Sequence, residues 1–146
     1  MGKRRSSREL ALKFLYQSEL NEGNIDEQMK LFLERNSQQD EVEAFMKELV
    51  KSTLQQMKEL DKIIQKFSDN WIVDRMTVID RNILRMGTCE LLFNLSTPPK
   101  VVINEAVDIA KKYGNEDSPE FINGILDKIY KKIGQKGSLP YYGLMP

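Results

Sequence analysis

Apolar residues recur every three or four positions along most of the chain, which is the spacing of amphipathic helices. The pattern predicts helices over about residues 6–20, from 24 onward, 40–67, 77–94, 100–113 and 119–133. The third apolar stripe, from Val42 to Phe67, is long for one globular helix, so a bend is expected near residues 57–61. The sequence therefore predicts an all-α fold of about six to seven helices, in two packed bundles of three to four helices each.

Signals for helix ends support this division. Ser6 begins a Ser-x-x-Glu capping box, and Ser118 followed by Pro119 predicts the start of the last helix. Gly114 predicts the stop just before it. Gly124 lies in mid-helix, where glycine costs up to about 1 kcal/mol relative to alanine, so a close contact with another helix is expected there.

The break between the two bundles is expected near residues 68–75, around the chain's only tryptophan. We predict one helical domain over residues 1–134, with subdomains at about 6–68 and 75–134. Residues 135–146 contain two glycines and two prolines and predict a flexible tail.

The composition removes the usual tools of catalysis. The chain has no histidine and one cysteine, Cys89, so it lacks the commonest general base and the commonest metal ligand. It has no Gly-rich phosphate loop, and its acidic residues fall mainly on predicted polar helix faces. No apolar run reaches the length of a membrane span, and no apolar segment follows the basic N-terminus as in a secretory signal. We expect a cytoplasmic protein without catalytic site, cofactor, metal or membrane contact.

A net charge of zero, from 22 basic and 22 acidic residues, hides a basic N-terminus. Helical projection places Arg5, Arg8, Leu12 and Tyr16 opposite the apolar stripe of the first helix. An exposed aromatic ring beside arginines is what single-stranded RNA binding requires, because the guanidinium groups pair with phosphates and the ring stacks on a base. Two alternatives stay open: a solvated helix end, or packing of Leu12 and Tyr16 against the second bundle.

Three segments also resemble a known family. Residues 103–128 read INEAVDIAKKYG-N-EDSPEFINGILDK, residues 79–91 read IDRNILRMGTCEL, and residues 3–16 read KRRSSRELALKFLY. Together they resemble the NusB family of bacterial transcription antitermination factors, and the first segment is the most specific. The resemblance implies a non-catalytic protein that binds boxA RNA together with NusE, a small-subunit ribosomal protein. It also implies that the pair helps RNA polymerase to read through terminators, notably in rRNA operons.

The resemblance implies an RNA-binding surface made of eight residues. They are Lys3, Arg4, Arg5, Arg8, Tyr16, Asp80, Asp117 and Phe121. Asp80 stands where relatives carry glutamate, which keeps the charge with a shorter reach. Ser6 and Ser7 stand where some relatives have further basic or small residues, which implies a lower RNA affinity. For Asp80, a place in the first turn of a helix, where a carboxylate favours the helix dipole, is an equal explanation. Asp117 precedes a helix start and is open to explanation as a cap, and Phe121 is expected at the edge of a buried stripe.

The partner surfaces are less defined by the sequence. The surface for NusE is expected on the helices near residues 75–95, and a homodimer stays an open alternative. A helical adaptor that binds only protein is the competing function. NusB-like domains also precede some rRNA cytosine methyltransferases, but those enzymes need a second domain with an S-adenosylmethionine site, and we do not expect one here.

Overall fold

The computed structural model describes residues 2–69, 71–94 and 96–134, and within them it contains seven α-helices and no strand. The helices are α1 (Gly2–Leu20), α2 (Ile25–Arg35), α3 (Asp40–Gln55), α4 (Met57–Phe67), α5 (Val78–Leu92), α6 (Pro99–Tyr113) and α7 (Ser118–Lys132). A 3-10 turn, Val73–Arg75, precedes α5. The prediction of an all-α fold with six to seven helices is confirmed. The predicted tail, residues 135–146, lies outside the described residues.

Two predicted helix boundaries need comment. α1 begins at Gly2, four residues before the expected capping box at Ser6, so the capping-box prediction is wrong. It is the neighbouring hydroxyl, of buried Ser7, that is anchored: it donates to the carbonyl oxygens of Lys3 at 3.0 Å and Val42 at 2.8 Å. The long third stripe is divided between α3 and α4 at Gln56, one residue before the expected bend.

α5 is the central helix of the fold. It packs against α1, α3, α4, α6 and α7, and every residue from Asn82 to Leu92 is buried. One connected set of buried apolar residues contains members of both predicted bundles. α4 contacts α5 and α7 as well as α3. The two halves of the described chain therefore share one core. The division into subdomains at 6–68 and 75–134 stays a prediction.

The glycines of the helices differ from the predictions in where they allow close contacts. Gly124 is exposed, and an added Cβ would meet nothing within 4 Å, so the expected close helix contact is not there. The close contact is at Gly87 of α5, where a Cβ would lie 2.9 Å from Leu126 Cδ1 of α7. Gly114 does end α6, but with φ −90° rather than a left-handed conformation. A Cβ at Gly114 would lie 2.5 Å from Ser118 Oγ, so the absent side chain matters for space.

Candidate RNA interface

The predicted arginine patch is divided by the structure between a buried part and an exposed part. Arg8 has 3% of its surface exposed, so its predicted place on an exposed arginine patch is wrong. Leu12 is also buried, which agrees with the alternative in which it packs against the second bundle. The reason is that α1 is enclosed on two sides: α3 covers its apolar stripe, and α5 contacts it as well. Tyr16 does keep its predicted exposure, with 42% of its surface accessible.

Arg8 is the centre of a buried ion-pair network. Its Nε and Nη2 each donate to one carboxylate oxygen of Glu90 at 2.8 Å, and its Nη1 donates to Glu105 Oε1 at 3.1 Å. Arg5 joins from the surface side, through bonds to Glu105 and a 2.9 Å bond to Asp108 Oδ2. This arginine–glutamate network of Arg5, Arg8, Glu90, Glu105 and Asp108 connects α1 to α5 and α6.

The network keeps both guanidinium groups charged. The hydrogen bond to Glu105 is the largest influence on Arg5 and raises its pKa. Burial alone would lower the pKa of Arg8, but the hydrogen bonds and charges of Glu90 and Glu105 outweigh it, and the pKa is raised. Because the carboxylates already occupy these donors, an RNA phosphate would have to compete with them. Arg8 is thus a structural residue in this fold.

The other two predicted cations lie at the surface. The Arg4 guanidinium lies over the Phe45 ring at 3.9 Å from its centroid, and exposed Lys3 pairs with Glu41 of α3. Neither contact is buried, and exposed ion pairs contribute little, since solvent screens them. Lys3 and Arg4 are therefore the N-terminal cations most accessible to phosphates.

Three other predicted residues, Asp80, Asp117 and Phe121, meet in one pocket. This aromatic–acidic pocket of about 410 Å³ lies between the segment before α5 and the start of α7. Its aromatic and charged lining residues are Trp71, Arg75, Asp80, Asp117, Glu120 and Phe121. Phe121 is half-buried, as predicted, and its ring contacts Trp71 edge to face with the centroids 5.4 Å apart.

Neither Asp80 nor Asp117 caps a helix with its side chain, but Asp80 does lie in the first turn of α5, where a carboxylate favours the helix dipole. Thr77 caps α5, because its hydroxyl oxygen accepts from the Asp80 amide at 3.1 Å. Asp80 is 7% exposed, and in the part of the chain that the structure describes its Oδ1 has no hydrogen-bonding partner. Asp117 lies at the N-cap position of α7, where its side chain makes no capping bond within the described structure. Since Asp80 lines the pocket and keeps 7% of its surface exposed, the accessible part of its carboxylate can accept from a ligand with N–H groups.

Tyr16 lies outside the lining of this pocket but on the side of α1 that faces the end of α6. Two turns earlier on the same face of α1, Glu9 accepts from Lys112 Nζ at 2.8 Å and from the Tyr113 hydroxyl at 2.6 Å. The connection that follows Tyr113 leads to Asp117. Tyr16 is thus on the side of α1 nearest the connection between α6 and α7, and that connection includes Asp117 of the pocket.

A second polar cluster joins the end of α1 to α4 and α5. Glu19 accepts from Arg81 Nε and Asn82 Nδ2, each at 2.8 Å, and Arg85 forms a two-bond pair with Asp61 at 2.7 and 2.8 Å. Burial would raise the pKa of Glu19, but these hydrogen bonds and the arginine charges outweigh it and lower the pKa.

The surface for NusE was expected on the helices near residues 75–95. Because residues 82–92 are buried, that stretch cannot contact a partner directly.

Comparison with known proteins decides the family. A sequence model of the NusB family matches residues 5–131. The chain belongs to the NusB family. The transcription antitermination protein NusB of Thermodesulfovibrio yellowstonii is 44% identical over 140 residues, with 89% of this chain and 93% of that protein covered. The NusB of Geobacter sulfurreducens is 43% identical over 138 residues, with 94% of this chain and 100% of that protein covered.

Solved NusB structures share the fold. A chain in the crystal structure of antitermination factors NusB and NusE in complex with dsRNA has a TM-score of 0.80 at 35% identity. That match covers 90% of this chain and 98% of the other. T. maritima NusB has a TM-score of 0.81 at 33% identity, with 88% of this chain and 91% of the other covered.

In this NusB-family chain, sequence reasoning missed the acidic partners of the arginines and the pocket residues Trp71 and Arg75. Glu90 and Glu105 were not predicted as partners of the arginines, yet both are buried beside Arg8. A signal for Glu90 exists, because it follows Cys89 and precedes Leu91 within an otherwise apolar run.

No described helix is long and apolar enough to cross a membrane, and no group of three or more His, Cys, Asp or Glu residues in the described ranges could hold a metal ion.

Proposed function

We propose that this NusB-family chain is an RNA-binding transcription antitermination factor that acts together with NusE. The observation that carries the proposal is the family match over residues 5–131, with relatives that are themselves antitermination proteins. The structural similarity to a NusB chain in a complex with NusE and dsRNA supports both partners. The task is non-catalytic: the chain holds RNA and NusE in the complex that lets RNA polymerase read through terminators, and it works in the cytoplasm.

The RNA is boxA-type, as in leaders of rRNA operons, and we propose that the chain reads it as a single strand. The aromatic–acidic pocket supports this, since only an unpaired base can enter it. Asp80, Asp117 and Phe121 contact the base, and Tyr16 stacks on a neighbouring one. Lys3 and Arg4 pair with phosphates. Arg5 keeps part of its surface for RNA, whereas Arg8 supports the surface from within through Glu90.

Co-purification with NusE, followed by titration with a boxA RNA, tests this proposal. We expect a complex with NusE and RNA binding that weakens with salt, because phosphate contacts release counterions. A complex with NusE that has no measurable affinity for boxA RNA would instead assign the chain to the class of protein-only adaptors.

Two variants of Tyr16 locate the RNA surface. Tyr16→Ala should lower RNA affinity by about 1–3 kcal/mol, the contribution of a base stacked on an aromatic ring. Tyr16→Phe should retain most of the affinity, because stacking uses the ring face. Since Tyr16 is 42% exposed, thermal melts of both variants should stay near that of the parent protein. A large loss of stability with unchanged RNA binding would make Tyr16 an architectural residue.

A further inference from the structure

Trp71 is the only tryptophan of the chain, and 59% of its surface is exposed. Its backbone is nevertheless fixed. The Trp71 amide donates to the Ser68 carbonyl at 3.0 Å, and the Trp71 carbonyl accepts from Gln65 Nε2 at 2.7 Å and from Ser68 Oγ at 3.0 Å. A large ring on an anchored backbone loses little conformational entropy when it binds a ligand.

The Trp71 ring forms one wall of the aromatic–acidic pocket. The edge-to-face contact with Phe121, at an interplanar angle of 68°, orients the indole without burying it. The Asp80 carboxylate, which keeps 7% of its surface exposed, lines the same pocket. An aromatic surface and a hydrogen-bond acceptor are the two features with which proteins bind an unstacked base.

The charges of the pocket restrict which part of an RNA can enter. Its lining has three carboxylates, Asp80, Asp117 and Glu120, and one guanidinium, that of Arg75. Phosphates are repelled by such a pocket and must remain outside it. The carboxylate instead attracts N–H donors, and guanine, adenine and cytosine each carry an exocyclic amine. Uracil carries carbonyl oxygens in place of an amine, so beside its single N3–H donor it presents acceptors that the Asp80 carboxylate repels.

We propose that Trp71 and Asp80 form a subsite for one unpaired base that carries an exocyclic amine. The indole stacks on the base, and the Asp80 carboxylate accepts the amine hydrogen bond. The inference rests on the proposed RNA-binding function and adds to it a stacking residue and a base preference. A cationic side chain of a protein partner is the other ligand that an acidic aromatic pocket could accept, and the experiment below distinguishes it.

The single tryptophan gives a direct signal. A boxA RNA is titrated into the chain with NusE, and tryptophan fluorescence is followed, with the Trp71→Phe protein in the same mixture as the blank. We expect quenching that saturates with RNA binding. In a series of RNAs, each with one abasic nucleotide, the quenching should disappear at one position. Uracil at that position should weaken binding relative to an amine-bearing base, and Asp80→Asn should reduce this discrimination.

Substitutions separate the ring from its surroundings. Trp71→Ala should weaken RNA binding about 5- to 150-fold, the range for a base stacked on an aromatic side chain. Trp71→Phe should recover most of the affinity. The matched control is Ile72→Ala: Ile72 is the next residue and is also exposed, at 46%, but it lines a different groove, beside α4. It should change RNA affinity less than twofold.

The possible results are distinct. If the parent protein binds no boxA RNA, the proposed function fails, and this inference fails with it. If the parent protein binds RNA but Trp71 is not quenched and Trp71→Ala binds equally well, only the subsite is refuted. If Trp71→Ala weakens the complex with NusE and leaves RNA affinity unchanged, the pocket binds a protein side chain, which also overturns the proposal.

Discussion

The arginine–glutamate network and the aromatic–acidic pocket contain the same kinds of residue but differ in how completely they are satisfied. In the network, Arg8 donates three bonds to two buried carboxylates. In the pocket, the Asp80 Oδ1 accepts none within the described structure, and Trp71 is largely exposed. The difference teaches that internal partners, rather than residue type, separate a supporting site from one that is prepared for a ligand.

In the sequence, the N-terminal segment looks like a single RNA-binding patch, because its arginines have the same charge and lie on one helix. In the structure they differ, since Arg8 belongs to the core and Arg4 to the surface. A buried pair is expensive to break, because the remaining charge loses both water and partner. A surface cation can exchange one partner for another at small cost.

The largest expected effect comes from breaking the network. Arg8→Ala and Glu90→Gln should each lower the free energy of unfolding by about 3–5 kcal/mol, because each leaves a buried group without its partner. Urea denaturation measures this. Arg4→Ala is the matched control on the same helix and should cost at most about 1 kcal/mol, the value of an exposed cation–π contact. An Arg8→Ala protein of normal stability with weak RNA binding would return Arg8 to the RNA surface.

The second prediction applies the matching change to the pocket. Asp80→Asn should leave the free energy of unfolding unchanged or higher, because an amide is less costly to bury than a carboxylate without a donor. Its RNA affinity should fall by about 1–3 kcal/mol, the value of a good base contact. Paired urea denaturation and RNA titration test both halves of the expectation. Loss of stability equal to that of Glu90→Gln would erase the distinction between the two sites.

The third prediction concerns the close approach of α5 and α7, the helices that carry Asp80 and Phe121 of the pocket. Gly87→Ala should cost about 1–3 kcal/mol of stability, because the new methyl group meets Leu126 in the core. Gly124→Ala, on the open side of α7, should instead stabilise the protein by up to about 1 kcal/mol through helix propensity. Thermal or urea unfolding gives both values, and equal signs would contradict the assigned close approach.

The smallest effect is a pH dependence of stability at Glu19. Like the arginine–glutamate network, Glu19 has its hydrogen-bonding partners within the protein, namely Arg81 and Asn82. The folded state lowers the pKa of Glu19, so its contribution to stability is complete above the unfolded carboxyl's pKa of about 4.3. It is lost as the pH falls through the lower folded value. Urea unfolding from neutral to acidic pH should therefore show a shallower loss for Glu19→Gln. Glu22→Gln, at an exposed residue just after α1, is the control and should retain the parent's slope.

The helices could be predicted from the sequence because their period is a local property. The division at Gln56, the exposure of Tyr16 and the partial burial of Phe121 followed from the spacing of apolar residues. The start of α1 was missed, because the helix extends through a basic segment that carries no capping signal of its own.

The part of the site that could not be predicted depends on distant contacts. The apolar pattern of α1 leaves the packing of Leu12 against the second bundle open, but it does not indicate that Arg8 is buried as well. The partners that bury Arg8 come 82 and 97 residues later in the chain. The pocket likewise combines Trp71, Asp80 and Phe121 from three separate elements, and only their packing shows that one carboxylate oxygen is left free.

The distance between Arg8 and its partners has a consequence for synthesis on the ribosome. Translation produces α1 first, and Glu90 and Glu105 leave the ribosome only after most of the chain has been made. Until then Arg5 and Arg8 lack the carboxylates that pair with them in the folded protein, and the emerging segment is a cationic peptide beside ribosomal RNA. We expect it to adhere there electrostatically, and to be released when α5 and α6 arrive and neutralise it. Completion of the fold would thus withdraw Arg5 and Arg8 from this polyanion affinity and leave it to Lys3 and Arg4 at the surface.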